Sequence, residues 1–228
     1  MISELLNCGS ARIGVFHSEQ INNDISELNY PYKIINIVAL GLCKFGENYS
    51  LDFDKLNTTV SFKRLNRFPC IMFKLDSISC ILFKNGKIII TGIRSLEQVP
   101  SLQKLLEKEL KLLNIPILGD IEIKVQNIVA MTHLHKTINL ELLCLSLNNC
   151  IYEPEQFPAA IVKNTGGKGV FLIFSNSKII ILGLKDVETL ESSLLDLIKN
   201  IHESEVFVES PCDFDSIDFD LNDNSEFY

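Results

Sequence analysis

One block of this chain is written twice, and that repeat limits the folds open to it more than any other feature. Residues 80–92 read CILFKNGKIIITG, and residues 171–183 read FLIFSNSKIIILG. INIVAL (35–40) and QNIVAM (126–131) precede the two copies, followed by NRFPCIMFK (66–74) and QFPAAIVK (156–163), in the same order. Asn36 to Asn127, Phe83 to Phe174 and Gly92 to Gly183 are each 91 residues apart, and Phe68 to Phe157 is 89, so only the loops differ in length. A solenoid needs at least about three repeats, so two copies point to fused half-domains sharing one core.

Each half predicts roughly five strands and one long helix. KIINIVALGL from Lys33 reads as a strand with Ile35, Ile37 and Ala39 on one face and Asn36, Val38 and Leu40 on the other. SLDFDKLNTT (50–59) reads as a short helix with Ser50 as N-cap, and VSFKRL (60–65) as a short strand. PCIMFKL, SCILF and KIIIT come next as strands, separated by Asp76-Ser77 and by Asn85-Gly86, a strong hairpin signal. Residues 95–114 form an amphipathic helix with Leu at 102, 105, 106, 110 and 113, starting near 99 because Pro100 fits only a first turn. The second half predicts a strand over IEIKVQNIVAMTHL, a helix over INLELLCLSL and a turn into a strand over IYEPEQFPAAIVK. A GVFLIF/KIIIL hairpin comes after it, then a closing helix over 186–201 with Asp186 as N-cap and Glu188 favourable in its first turn. Short antiparallel links with helices on one side of the sheet place the chain in the α+β class.

An antiparallel sheet with one wet face should alternate apolar and polar residues. KIIITG, KIIILG, INIVAL and CILF do not. One long helix per half covers one face and leaves the other presenting Val38, Cys70, Met72, Phe83, Ile89 and Thr91, with Val129, Phe174, Ile180 and Leu182. A contiguous apolar patch of that size marks a binding surface, or burial against another subunit or the N-terminal arm. Symmetric Asn and Lys residues on the same face favour binding.

The 228 residues and 46% hydrophobic content suffice for a sizeable core. The net charge of −8 is unevenly spread. Counted from the sequence, residues 1–32 carry about −3, 33–117 about +6, 118–202 about −2 and 203–228 about −9. A basic half can serve as an electrostatic footprint on nucleic acid. The seven cysteines are scattered, odd in number and without a CxxC, which predicts reduced thiols in an intracellular protein. The N-terminus shows no secretory signal, and no run reaches the roughly 18 apolar residues of a spanning helix, so no membrane role is expected. His133 and His135 form an HxH at a strand end, both on one side, but lack further ligands, so no metal and no cofactor is expected. Gly166-Gly167-Lys168-Gly169 lacks phosphate-loop spacing and reads as a hairpin turn. No catalytic constellation is visible, and no enzyme is expected.

INIV with QNIV, FPCIMFK with YEPEQFP, and CILFKNGKIIITG with LIFSNSKIIILG together make residues 33–202 resemble the TATA-box-binding protein family of eukaryotes and archaea. The resemblance implies a two-repeat saddle: a curved antiparallel ten-stranded sheet with two long helices on its convex face. The family is itself a worked example of minor-groove binding with apolar wedges that unstack and kink DNA. Carried onto this chain, the wedge pairs are Phe68 with Phe83 and Phe157 with Phe174. Asn36 and Asn127 match the central asparagines that donate to minor-groove acceptors, flanked by Val38, Val129, Ile89 and Ile180. Lys74, Lys87, Lys163 and Lys178 fall where the family keeps phosphate contacts, which set affinity and salt dependence. Thr91 keeps the family's threonine, while its counterpart is Leu182. The loop between Lys74 and Cys80 is shorter than the family's and acidic at Asp76. The helix 95–114 keeps only Lys104, Lys108 and Lys111 as basic residues, and Gln156 replaces the usual Leu. These departures imply weaker or altered affinity and a preferred element other than a standard TATA sequence.

The resemblance implies a general transcription initiation factor that binds and bends A·T-rich promoter DNA. Its implied partners are double-stranded promoter DNA, a transcription factor B-like protein docking at Tyr152, Glu153 and Glu155, and the RNA polymerase machinery, with self-association through the concave face when DNA is absent. The expected organisation is an arm (1–32), two saddle repeats (33–117 and 118–202) and an acidic disordered tail (203–228). The tail's 209–228 segment reads as solubilising, as a DNA mimic folding over the saddle, or as a recruiter of a basic partner. Location is nuclear, or cytoplasmic for an archaeal or viral protein. Two rival readings stay open: a saddle that has lost promoter recognition and tethers or titrates transcription factors, and a non-specific nucleic-acid accessory domain.

Overall fold

The computed structural model describes residues 13–14, 30–46, 49, 51–56, 62–64, 69–164 and 169–208. The first half supplies β2 (Tyr32–Leu42), β3 (Phe62–Arg64), β4 (Cys70–Leu75), β5 (Ile78–Phe83) and β6 (Lys87–Ile93). The second supplies β7 (Glu122–His133), β9 (Cys150–Ile151), β10 (Ala159–Lys163), β11 (Val170–Phe174) and β12 (Lys178–Leu184). These ten strands form one antiparallel path in the order β3-β4-β5-β6-β2-β7-β12-β11-β10-β9. A two-residue β1 (Ile13–Gly14) pairs with the start of β2. Reading outward from β2 and β7, the two halves repeat strand for strand.

The seam between the halves is a reciprocal register. Asn36 pairs with Val129 and Val38 with Asn127, while Ile37 faces Ile128 at the pseudo-twofold. The register shifts once on each side, between Ile34 and Asn36 on β2 and across Gln126 on β7, and Ile35 and Gln126 are themselves 91 apart. Each is the extra residue of a bulge. That bulge corrects the face expected for Ile35: Ile34, Ile37 and Ala39 are buried, and Ile35 is only half-buried.

Among the described residues there are three α-helices: the two long ones expected, α1 (Gln98–Leu112) and α3 (Val187–Glu203), and the short α2 (Leu140–Ser146) within the helix expected over INLELLCLSL. α1 buries Leu102, Leu106 and Leu110 at i, i+4 spacing. It ends as a Schellman motif, in which Ile115 N–H donates to Leu110 O (2.9 Å) and Asn114 N–H to Lys111 O (3.0 Å) with Asn114 at φ 60°. α3 buries Leu190, Leu194, Leu197, Ile198 and Ile201, and Asp186 caps it by accepting from Thr189 N–H at 2.7 Å. These two helices and one face of the sheet enclose a continuous core that includes Ile37, Ile71, Ile88, Leu106, Ile128, Phe171, Ile179 and Leu194. In place of the helix expected over 50–59 stands a single 3-10 turn, Phe53–Lys55. Its cap is Asp52, whose side chain accepts from Asp54 N–H, and Ser50 and 57–60 lie outside the described residues.

Candidate nucleic-acid interface

The face of the sheet away from α1 and α3 carries every second residue of each long strand, and these are half-buried where the core face is buried. Asn36, Val38 and Leu40 on β2 alternate with buried Ile37 and Ala39; Asn127, Val129 and Met131 on β7 alternate with Ile128 and Ala130. The same alternation sets Ile89 and Thr91 on β6, Ile180 and Leu182 on β12, Phe83 on β5 and Phe174 on β11 onto the open face. The apolar character at both parities therefore has two causes, a core on one side and, on the other, an apolar floor that the described residues leave partly exposed.

At the centre of that floor the two asparagines are fixed in the same way. Asn36 Oδ1 accepts from Gly92 N–H at 2.9 Å, and Asn127 Oδ1 accepts from Gly183 N–H at 2.7 Å. A backbone N–H can only donate, so the atom meeting it is the amide oxygen, and each Nδ2 amino group is left to present donors to the open face. Both glycines lie in register shifts, Gly92 against β2 and Gly183 against β7, with φ of 93° and 84°. An L residue rarely adopts that backbone. At Gly92 a Cβ would also stand 2.8 Å from Ser77 O. Motif reading did not assign these glycines, whose N–H groups orient the two asparagines; their shared 91-residue spacing was the signal for them.

Toward the ends of the sheet, Phe157 and Phe174 meet edge to face, with centroids 6.3 Å apart, and Phe157 is 38% exposed. A turn holds Phe157 in place, since Glu153 O accepts from both Gln156 N–H and Phe157 N–H at 2.9 Å. Phe83 occupies the equivalent place in the first half, and its expected partner Phe68 lies outside the described residues. Cys70 stands directly opposite Phe83, and Ala159 directly opposite Phe174. Both are 1% exposed, which corrects the expectation that Cys70 is presented to solvent: a small side chain beside a cross-strand ring is covered.

Lys74, Lys87 and Lys163 are exposed and Lys178 half-buried, all at open-face positions of their strands. Asn85 Oδ1 accepts from Lys87 N–H (3.2 Å) and Asn176 Oδ1 from Lys178 N–H (3.1 Å), so the same turn sets both lysines. The halves differ beside the asparagines. Ser79 pairs with Thr91 in the first, and Val170 with Leu182 in the second, so a polar pair faces an apolar one. In the turn before Phe157, Glu153 and Glu155 are exposed while Tyr152 packs against the core.

Cys144 and Cys150 are disulfide-bonded, joining α2 to β9, with Cα atoms 4.8 Å apart. The expectation of reduced thiols throughout is corrected there, because the turn after α2 lays β9 back against the helix. Cys43, Cys70 and Cys80 are free and buried, and burial pushes the Cys43 and Cys80 thiols up to about 12. His135 lies just beyond β7 with φ 56°, so it does not continue the strand that carries His133. Instead its N–H donates to His133 Nδ1 (2.9 Å) and the rings lie 4.5 Å apart. Burial, then His135 and Lys178, hold the His133 imidazole below its usual range. Among the described residues no three His, Cys, Asp or Glu side chains assemble into a metal-holding group. The loop 165–168 lies outside the described residues.

The family described as "Transcription factor TFIID (or TATA-binding protein, TBP)" matches residues 31–113 and again 122–204. This chain belongs to the TATA-binding protein family. It is 36% identical over 188 residues to the TATA-box-binding protein of Aeropyrum pernix, covering 80% of this chain and 89% of that protein. The TATA-box-binding protein of Methanocaldococcus jannaschii is 34% identical, with 75% and 95% covered. A solved structure, "Methanococcus jannaschii TBP", superposes with a TM-score of 0.63 at 29% identity, covering 75% of this chain and 98% of that one. TATA-binding protein family members are non-catalytic DNA-binding transcription factors; that general role extends to this chain, which is not an enzyme.

Proposed function

We propose that the open face is the concave surface of a saddle that binds the minor groove of A·T-rich promoter DNA and bends it. The observation that carries this reading is the paired orientation of Asn36 and Asn127. Two amide donors, related by the pseudo-twofold and locked by backbone N–H groups, stand on an apolar floor. The minor groove of A·T pairs offers only acceptors, whereas G·C adds an amino donor that an outward amide N–H cannot satisfy. Val38, Val129, Ile89 and Ile180 beside the asparagines leave no acceptor for that amino group. At the ends, Phe157 with Phe174, and Phe68 with Phe83, act as wedges; unstacking costs a few kcal/mol per step and is offset by the wider contact a bent groove allows. Lys74, Lys87, Lys163 and Lys178 meet phosphates. Val170 with Leu182 in place of a hydroxyl pair weakens hydrogen bonding in the second half, so the preferred element departs from a standard TATA sequence.

Tyr152, Glu153 and Glu155 form the docking turn for a transcription factor B-like protein with basic contacts, which recruits the polymerase. The Aeropyrum and Methanocaldococcus relatives are archaeal, from cells without a nucleus, and a cytoplasmic location fits them. The apolar Val170/Leu182 pair favours a second reading, a saddle that binds proteins only.

End-to-end energy transfer on a short labelled duplex separates the two readings. Transfer is expected to rise with an A·T-rich core and stay flat with a G·C-rich one. Replacing Phe157 and Phe174 by Ala is expected to abolish the rise while the circular dichroism spectrum is unchanged. No response on either duplex would move the function to the protein-binding reading. Glu153→Arg with Glu155→Arg is expected to leave duplex binding intact and remove the supershift by the factor B-like protein; a supershift of equal affinity would refute the docking turn.

A further inference from the structure

The last described strand was not expected from the sequence, and it sets where the acidic segment leaves the fold. β13 (Phe207–Val208) pairs with β8 (Thr137–Ile138), Phe207 facing Ile138 and Val208 facing Thr137. Val206 is buried, and its carbonyl accepts from Asn139 N–H at 2.9 Å. The Phe207 ring lies 5.0 Å from both the Lys136 ammonium and the His202 ring. Ile138 N–H in turn donates to Ser175 O (2.8 Å), so this small ladder abuts the β11–β12 turn, between Phe174 and Lys178. Being antiparallel, β13 runs from Ile138 toward Thr137 and Lys136. Lys136 N–H donates to Ser177 Oγ, and Lys178 pairs across with His133. The chain therefore leaves at a rim carrying Lys136, Lys178, His133 and His135, at one end of the open face.

The segment beyond Val208 has chemistry that matches this rim. Residues 209–228, outside the described residues, hold seven carboxylates and no Lys or Arg. Between the carboxylates stand Phe214, Ile217, Phe219 and Leu221, in the run DFDSIDFDL. Acidic and apolar groups in alternation suit a surface with an apolar floor and a lysine rim. Reach is sufficient, since 20 residues span up to about 66 Å extended. Ten strands at their usual spacing extend only about 45 Å.

We propose that residues 209–228 occupy the open face of their own chain and are displaced from it by DNA. The inference rests on the reading of that face as the nucleic-acid surface, and the segment acts as an intramolecular competitor whose tether gives it an effective concentration near the millimolar range. Phe214, Ile217, Phe219 and Leu221 fill the apolar floor, and the aspartates meet Lys178, Lys87, Lys163 and Lys74.

The test compares the full chain, a 1–208 truncation, and a full chain with Phe214, Ile217, Phe219 and Leu221 all replaced by Ser, by fluorescence anisotropy on an A·T-rich duplex at low salt. The truncation is expected to bind about tenfold more tightly, the gain for a segment held near millimolar effective concentration that binds its face with a dissociation constant of roughly 0.1 mM. The serine variant, which keeps every carboxylate, is expected to recover most of that gain. Affinities within twofold across all three proteins would overturn the proposal. So would a serine variant that behaves like the full chain, because the segment would then act only by distant charge repulsion. A labelled peptide of residues 209–228, titrated onto the truncation up to millimolar concentration, is the independent arm. Binding lost in Lys178→Glu supports the proposal even where no duplex binds, in which case the DNA reading alone falls. No peptide binding overturns the proposal. A dimer that forms only when the segment is present, seen by sedimentation, would place it on a second copy and overturn the intramolecular form.

Discussion

At the scale of single residues, the most informative positions are the two glycines that carry no side chain. Gly92 and Gly183 hold the same backbone and the same hydrogen bond to an asparagine, yet their surroundings differ. A Cβ at Gly92 would lie 2.8 Å from Ser77 O, whereas the nearest atom at Gly183 is Gly169 Cα at 3.5 Å. Gly92→Ala is therefore expected to cost about 2–3 kcal/mol, clash added to strain, and Gly183→Ala about 1 kcal/mol, strain alone. Urea denaturation of the two variants checks the order, and equal losses would show that Ser77 yields. The asparagines, paired phenylalanines and lysines of the proposed site were all visible in the sequence because a repeat marks them twice. The orientation of the Asn amides was not, because it depends on a bulge that no side chain announces. Cys70 was misplaced for a related reason: strand parity gives a face but not what a neighbouring ring covers.

At the scale of elements, strong periodicity was legible and weak local signals were not. α1 and α3 stand within a few residues of their expected spans, since leucines at i, i+4 and a capping aspartate are local properties. The helix expected over 50–59 shrank to one turn because its apolar residues, Leu51, Phe53 and Leu56, are buried without helical spacing. β13 escaped notice because two residues hold no pattern, and only tertiary packing makes them a strand. That packing has a pH signature. Burial, then Lys136, holds the His202 imidazole below its usual range, while its Nε2 lies 2.7 Å from Tyr30 Oη. A depressed folded-state value means that the unfolded chain takes up the proton first. The stabilisation is thus complete above the ordinary imidazole range near about 6.5 and is lost as pH falls through the lower folded value. The melting temperature is expected to fall from pH 7.5 to 5.5 by more in the wild type than in His202→Gln. A part of the slope that remains in the variant belongs to His133, whose shift has the same sign. Identical slopes in the two proteins would remove His202 from the account.

At the scale of the whole molecule, net charge is a poor guide to binding. The chain carries −8, yet lysines stand in open-face rows of four strands, two from each half. Each lysine that neutralises a phosphate adds about 0.9 to the steepness of log affinity against log salt on duplex DNA. A full set of four contacts therefore predicts a slope near −3.6 or steeper, and Lys87→Gln or Lys178→Gln is expected to lessen it by about 1 each. Anisotropy titrations across 50–300 mM salt measure the slope, and an unchanged value in either variant would take that lysine off the phosphates. The architecture was legible because the repeat implies it: two halves with one helix face each must share a sheet. The seam was not, since a register with one bulge per partner is settled by packing rather than by pattern.

That seam has a consequence for reading a directional message. Asn36 against Val129 and Val38 against Asn127 map onto each other under a half-turn, so the middle of the face is a palindrome. A palindromic reader fits a duplex equally well forwards and backwards and cannot by itself tell upstream from downstream. Polarity has to be written in the places where duplication has been broken. In the proposed binding mode those are Ser79 with Thr91 on one flank, Val170 with Leu182 on the other, and the acidic turn at Glu153 and Glu155. The divergence that blurs the family likeness is also what allows such a molecule to point.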